Sequence, residues 1–249
     1  MTILAIDSSA LPLSVAVLRD DVLIAEYTIT LKLTHSETLM PVLDDVVKRT
    51  GIDLKEIDAF AVSGGPGSFT GLRIGSATVK GLADALNIPV ISVPTLEALA
   101  CNIFCRDSII VPMMDARRKN VYTGIFEYEG EEIKTILPQC AMPLAELLEK
   151  VEALGKTACF LGDGAKAFRE EIDEKLKTPH FFAPPHLSMQ HGGAVAVLAS
   201  KMFREGSFTD AASHRPDYIK ATQAEQERKE AEKNGTLREL SAGGHAIYT

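Results

Sequence analysis

"SGGPGSFTGLRIG" occupies residues 63–75 and puts five glycines and one proline into thirteen positions. It follows the apolar run "DAFAV" (58–62) and leads into "LRIGSATVKGLADAL" (72–86), whose periodicity is helical. A glycine-rich turn between a strand and a helix offers backbone N–H groups and a positive helix end to an anion. Two phosphate templates test that reading. A P-loop needs a lysine directly after its last glycine, but Gly71 is followed by Leu72 and Arg73, and the next lysine is Lys80. A dinucleotide fingerprint needs a third glycine and an acidic residue on the following strand. Thr70 holds the glycine position, and "PVISV" (89–93) carries no carboxylate. Both templates fail, which leaves a nucleotide turn of another kind or a turn tightened for packing.

Outward from this turn, the same order of elements occurs twice. Strands are expected over 2–8, 12–19 and 22–30, with Asp20 and Asp21 in a hairpin turn. A helix over 38–50 carries Leu39, Val42, Leu43, Val46 and Val47 at helical spacing, with Pro41 in its first turn and Gly51 at its end. The strand 58–62, the helix 72–86, a strand 89–93 and a helix 95–104 complete the first half. The second half reads as strands 108–115, 120–129 and 132–138, helix 143–154, strand 157–162, helix 165–176, strand 180–184 and helix 192–206. Each half is βββαβαβα, and each first strand ends in an aspartate, Asp7 and Asp115. Duplication of this unit points to an α/β protein with two stacked lobes, the architecture of the actin, Hsp70 and sugar-kinase (ASKHA) group. The competing reading is a single mixed α/β domain. The expected divisions are an N-terminal lobe over 1–106, a smaller lobe over 107–206 and a charged extension over 207–249.

The chain has 249 residues, 46% hydrophobic and 24% charged, enough apolar material for one large or two modest cores. No apolar run is long enough to span a bilayer and "MTILAID" has no leader features, so a cytoplasmic protein without membrane association is expected. The formal net charge of −8 argues against unaided nucleic-acid binding. The densest basic cluster is "DARRKN" (115–120). Cysteines 101, 105, 140 and 159 match no zinc or disulfide framework. Cys101 and Cys105 on one helix face would be half a metal site, but reduced core cysteines fit better.

Catalytic constellations are weak. Ser8 and Ser9 beside Asp7 have no histidine near them in sequence and no nucleophile elbow. Ser68 and Thr70 stand where hydroxyls cap a helix start. His35 reads as a capping or loop residue, with a role at the cleft or partner surface as the alternative. His180, His186, His191, His214 and His245 are scattered, and no H-E-x-x-H occurs. A nucleotide cleft, if present, would use Asp7, Ser8, Ser9, Gly65, Gly67, Ser68, Thr70 and Asp115, with weak ATP or ADP and magnesium.

"ILAIDSSALPLSVAVL" (3–18), "THSETLMPVLDDVV" (34–47) and "AVSGGPGSFTGLRIGSATVKGLADALNIPVISVPTLEALA" (61–100) resemble the TsaB (YeaZ) family. "DARRKNVYTGIF", "LGDGA" and "RPDYIK" continue the likeness less closely. That family serves threonylcarbamoyl modification of the tRNA adenosine beside the anticodon and is a shortened relative of TsaD, the catalytic subunit. In TsaD a His-x-x-x-His pair binds metal; the matching positions here are Thr95 and Leu99. The resemblance therefore implies no catalytic or metal-binding residue at that place, and a scaffold or activator that works with TsaD and TsaE. It implies a homodimer when the chain is alone, and tRNA contact only through the complex. The alternative is a compact actin-like ATPase or small-molecule kinase.

Helix 72–86 carries a stripe of small residues, Thr78, Gly81 and Ala85, that suits close approach of another helix or of the protein's own sheet. The resemblance favours another molecule and implies pairing through the first-lobe helices. The expected surface is Met40, Leu43 and Val47 on one helix with Ile74, Thr78, Gly81 and Ala85 on the other. "ATQAEQERKEAEKNG" (221–235) is charged and has no apolar stripe, which reads as a solvated or partly disordered helix.

Overall fold

The computed structural model describes residues 1–219. The charged segment 221–235, His245 and the last residue of "RPDYIK" lie outside the described residues. Within them, the repeat is seen as two five-stranded sheets. The first contains β1 (Thr2–Asp7), β2 (Leu13–Arg19), β3 (Val22–Ile29), β4 (Ala59–Gly65) and β5 (Val90–Pro94), ordered β3-β2-β1-β4-β5. The second contains β6 (Ile109–Asp115), β7 (Asn120–Glu129), β8 (Glu132–Pro143), β9 (Ala158–Leu161) and β10 (His180–Phe182), ordered β8-β7-β6-β9-β10. Counted within each half, both sheets read 3-2-1-4-5. In both, the first three strands are antiparallel and the last two run parallel to the first. This is the two-lobed, actin-like α/β arrangement.

Strand alternation sorts the side chains into layers. Leu4, Ile6, Val15, Val17, Phe60 and Val62 face one side of the first sheet, where α1 (His35–Thr50) and α2 (Phe69–Leu86) cover them. Ile3, Ala5, Ala59, Ala61, Ile91 and Val93 face the other side, under α7 (Gly192–Arg204). The second sheet turns Val111, Met113 and Phe160 toward α4 (Leu144–Leu154) and the split helix α5 (Asp163–Ala167) and α6 (Arg169–Lys175). Its opposite face, with Ile110, Met114 and Leu161, packs on α3 (Thr95–Ala100). Each fully buried large side chain, Phe60, Phe126 and Phe160 among them, stabilises the fold by about 1.5–3 kcal/mol relative to exposure.

Several boundaries differ from expectation. α1 begins at His35, so Pro41 lies inside the helix instead of in its first turn, on an exposed position. Helix 165–176 is broken at Phe168 (φ −110°, ψ 15°), whose ring packs on the second core. α3 stops at Ala100, so Cys101 and Cys105 do not share a helix face. α7 was expected within the second lobe, yet it lies on the first sheet. Two side chains of that sheet hold its start: Ser14 Oγ accepts from Gly192 N (2.8 Å), and Glu26 Oε1 accepts from Gly193 N (2.9 Å). These satisfy N–H groups that a helix start leaves unpaired.

Candidate functional site

The glycine turn sits directly on the chain that follows β1. Ser68 N donates to Ser9 O (2.6 Å), and Ser8 Oγ donates to Gly71 O (2.8 Å). A side chain at Gly71 would overlap the Ser8 carbonyl, and one at Gly67 would reach within 2.5 Å of Ser9 O. Gly75 is closed by the Ser8 hydroxyl. On the other side, Asp217 N donates to Gly64 O (2.7 Å), and the Asp217 carbonyl occupies the space a Cβ at Gly65 (φ 126°) would need. Gly65 N donates to Thr95 Oγ1 (3.1 Å), and Gln139 Nε2 donates to Gly65 O (3.0 Å). Gly71 N and Leu72 N both turn back to Ser68. The turn is thus filled by backbone of the same chain.

Asp7 lies beneath it, 1% exposed. One carboxylate oxygen accepts from Ser9 N (2.9 Å) and Ser9 Oγ (2.7 Å), the other from Ser63 Oγ (2.5 Å). Burial pushes this carboxyl above the ordinary aspartate range, and the three hydrogen bonds oppose the shift. Asp115 behaves differently. It is exposed, accepts from Arg117 N (2.8 Å), and neighbours Asp163 at the start of α5. No hydrogen bond or ion pair among the described residues joins Asp115 to Asp7 or to the glycine turn. Ser68 caps α2 and is exposed, as is Thr70. Asp7, Ser8, Ser9, Gly65, Gly67 and Ser68 therefore come together as a packed knot, while Asp115 and Thr70 stand outside it. A magnesium–nucleotide needs an open carboxylate and free amides. The residues at this turn do not fit it.

Nor does the metal of the catalytic relatives find ligands here. Thr95 is buried and its hydroxyl serves Gly65 N. Leu99 is packed in the apolar cluster between α3 and the second sheet, against Gly162. Among the described residues no group of three His, Cys, Asp or Glu side chains is placed to hold a metal. Three histidines have local partners: His35 Nε2 pairs with Ala10 O (2.8 Å), His180 Nε2 with Asp173 (3.0 Å), and His191 Nδ1 with Glu26 (3.3 Å), while the Nε2 of buried His214 has no hydrogen-bond partner among the described residues. Burial pushes the Cys101 thiol up to about 12, as it does that of Cys159, so both are poor nucleophiles.

The expected partner surface is partly corrected. Met40 is 50% exposed, Ala85 is exposed, and nothing lies within 4 Å of a Cβ built on Gly81. Thr78 is half-buried, while Val47 and Ile74 pack at the edge of the first core. Leu43 is only 3% exposed and belongs to that core, because its i±3/i±4 neighbours Leu39 and Val46 fix that helix face toward the sheet. Sequence reasoning missed the strap over 207–219 that runs along another side of α2. Val90 and Thr209 exchange backbone hydrogen bonds, and Lys80 Nζ donates to His214 O (3.1 Å). The Tyr218 ring meets Phe69 at 5.1 Å, with Arg73 stacked on Phe69 at 3.9 Å. Its sequence signal was "RPDYIK", noted only as family likeness. Cavities of about 450 and 350 Å³ lie behind α7 and between α2 and the strap, both away from the glycine turn.

Comparison with known proteins gives the geometry its context. The family model for TsaD, tRNA N6-adenosine threonylcarbamoyltransferase, matches residues 23–228. The tRNA threonylcarbamoyladenosine biosynthesis protein TsaB of Bacillus subtilis is 35% identical over 233 residues, 94% of this chain and 100% of the relative. TsaB of Escherichia coli is 32% identical over 232 residues, 88% and 95% of the two chains. The solved structure of YeaZ from Pseudomonas aeruginosa superposes with a TM-score of 0.71 at 26% identity, covering 87% of this chain and 99% of that one. The chain belongs to the TsaB (YeaZ) family, within the group that the TsaD model describes. No helix among the described residues is long and apolar enough to cross a membrane.

Proposed function

We propose, with TsaB family membership as the premise, that this chain is a non-catalytic subunit in cytoplasmic threonylcarbamoyladenosine synthesis on tRNA. A TsaD-type transferase performs the transfer; this chain docks on it through the exposed stripe of α1 and α2 and stabilises its active arrangement, with TsaE and tRNA joining the assembly. Alone, the chain pairs with itself through the same helices. One observation carries the non-catalytic reading. The turn that would cradle phosphates is occupied by Ser8, Ser9 and Asp217 of the same chain. The buried, triply hydrogen-bonded Asp7 and the structural use of Thr95 and Leu99 agree with it. The ATPase or kinase alternative has no observation in its favour.

The test is reconstituted threonylcarbamoyl transfer to tRNA by TsaD and TsaE, with and without this chain. A Gly81→Glu variant that keeps the wild-type melting temperature is run in parallel. A requirement for the wild-type chain that the folded variant cannot meet supports docking through α2. Full transfer without the chain sinks the subunit reading. Transfer supported by the variant moves the interface away from Gly81.

A further inference from the structure

The densest basic cluster has no part in the reading above, and it forms the longest run of left-handed non-glycine residues among the described residues. Between β6 and β7 the chain turns through Arg117, Arg118 and Lys119, all in the left-handed region at φ 63°, 52° and 58°. Consecutive left-handed residues with side chains are disfavoured at every position, and glycine or asparagine would relieve the cost. Here the turn instead carries the only three adjacent basic residues of a chain with net charge −8.

The conformation is locked from inside. Asp115 accepts from Arg117 N, Asn120 N donates to Arg117 O (3.0 Å), and Asn120 Nδ2 donates to Arg118 O (3.1 Å). Leu144 N donates to Lys119 O (3.0 Å), tying the turn to the start of α4. The carbonyls of all three basic residues are engaged inward, and the N–H groups of Arg118 and Lys119 have no partner among the described residues. Both arginine side chains are exposed and make no ion pair there; Lys119 alone contacts Glu171, at 3.4 Å. The N–H groups of Arg118 and Lys119 are left open at the tip of the turn, and the two unpaired guanidinium groups beside them match phosphate geometry. Strain of this kind persists where the site uses it.

We propose that the Arg117–Lys119 turn binds backbone phosphates of the tRNA within the assembly. An RNA strand is favoured over a small phosphorylated ligand because the turn is an open hairpin tip. Neither cavity includes it, whereas small ligands are mostly enclosed. The inference rests on the reading that the chain works in a tRNA-modifying assembly and adds a direct contact to it.

The experiment measures binding of an unmodified tRNA transcript to the complete assembly at several salt concentrations, with wild-type chain and with Arg117→Asn/Arg118→Gly. Both replacement residues adopt the left-handed region readily, so the variant is expected to melt a few degrees higher than wild type. Its assembly is expected to keep its size in chromatography. Affinity for tRNA is expected to fall roughly tenfold at low salt, with the slope of log K against log salt reduced by about two. Unchanged affinity and slope in an intact assembly overturns the phosphate contact while the subunit reading stands. Dissolution of the assembly identifies the turn as a protein contact and also overturns it. Weaker ATP binding with unchanged tRNA binding assigns a small phosphate ligand and overturns it as well. If the wild-type chain proves unnecessary for transfer, the reading beneath it fails separately.

Discussion

Gly67→Ala tests whether the glycine turn is a packing device. An added Cβ would lie 2.5 Å from Ser9 O, 2.8 Å from Ser9 Cβ and 3.1 Å from Ser9 C. Ordinary contact begins near 3.4 Å, so the two segments must part by about 3.4 − 2.5 = 0.9 Å. Two of the opposing atoms are backbone, and no rotamer change removes the clash. The separation breaks the 2.6 Å bond from Ser68 N to Ser9 O. Overpacking costs about 1–3 kcal/mol and the lost bond about 1–1.5 kcal/mol. Reduced freedom of the unfolded chain returns about 0.4–1 kcal/mol. The net loss is about 1–4 kcal/mol, or roughly 2–16 °C in melting temperature for a chain of this size. Gly81→Ala is the control, because its Cβ meets open space; it should gain about 0.5–1 kcal/mol and melt about 1–4 °C higher. Thermal melts of the three proteins, with and without millimolar Mg-ATP, make the comparison. Wild-type stability in Gly67→Ala would refute the packing argument. So would a large rise in the wild-type melt with Mg-ATP that Gly67→Ala lacks, since a ligand at a hundred times its Kd adds about 2.7 kcal/mol.

The His191–Glu26 pair makes stability depend on pH. Its hydrogen bond to Glu26 holds the His191 imidazole above the ordinary histidine range against partial burial. Burial pushes Glu26 up, but hydrogen bonds from His191 and Gly193 outweigh it and leave the carboxyl low. A raised histidine stabilises fully below its unfolded value, about 6.5, and loses that contribution as pH rises through the folded value. Double-mutant cycles with His191→Ala and Glu26→Gln should give about 0.5–1 kcal/mol of coupling near pH 6, shrinking above neutrality; equal coupling at high pH refutes the charged pair. Leu43→Ala should cost about 2–5 kcal/mol in denaturant unfolding, while Met40→Ala should leave stability within about 0.5 kcal/mol and weaken self-association in sedimentation. The reverse pattern would exchange their positions.

Periodicity and punctuation were enough to read the duplicated βββαβαβα order, because strand alternation and helix spacing are local properties of the chain. Failure of the phosphate templates was equally local, since it needs only Leu72, Arg73 and Thr70 at known offsets. Other features depend on residues far apart in sequence. That Gly65, Gly67, Gly71 and Gly75 admit Asp217, Ser9 and Ser8 could not be read from the turn, because those contacts span about 55 to 150 positions. Leu43 stood both on the apolar stripe of α1 and on the expected partner surface, and only the sheet it covers assigns it to the core. α7 is the last element of the second half in sequence but packs on the first sheet, where Ser14 and Glu26 hold its start. The "DARRKN" cluster was visible as charge alone; only the tertiary structure gave its three basic residues one left-handed turn. Sequence determined which elements form and in what order, because those choices follow from neighbouring residues. Tertiary structure decided which surfaces remain free, because burial is set by segments that meet only after the chain has folded.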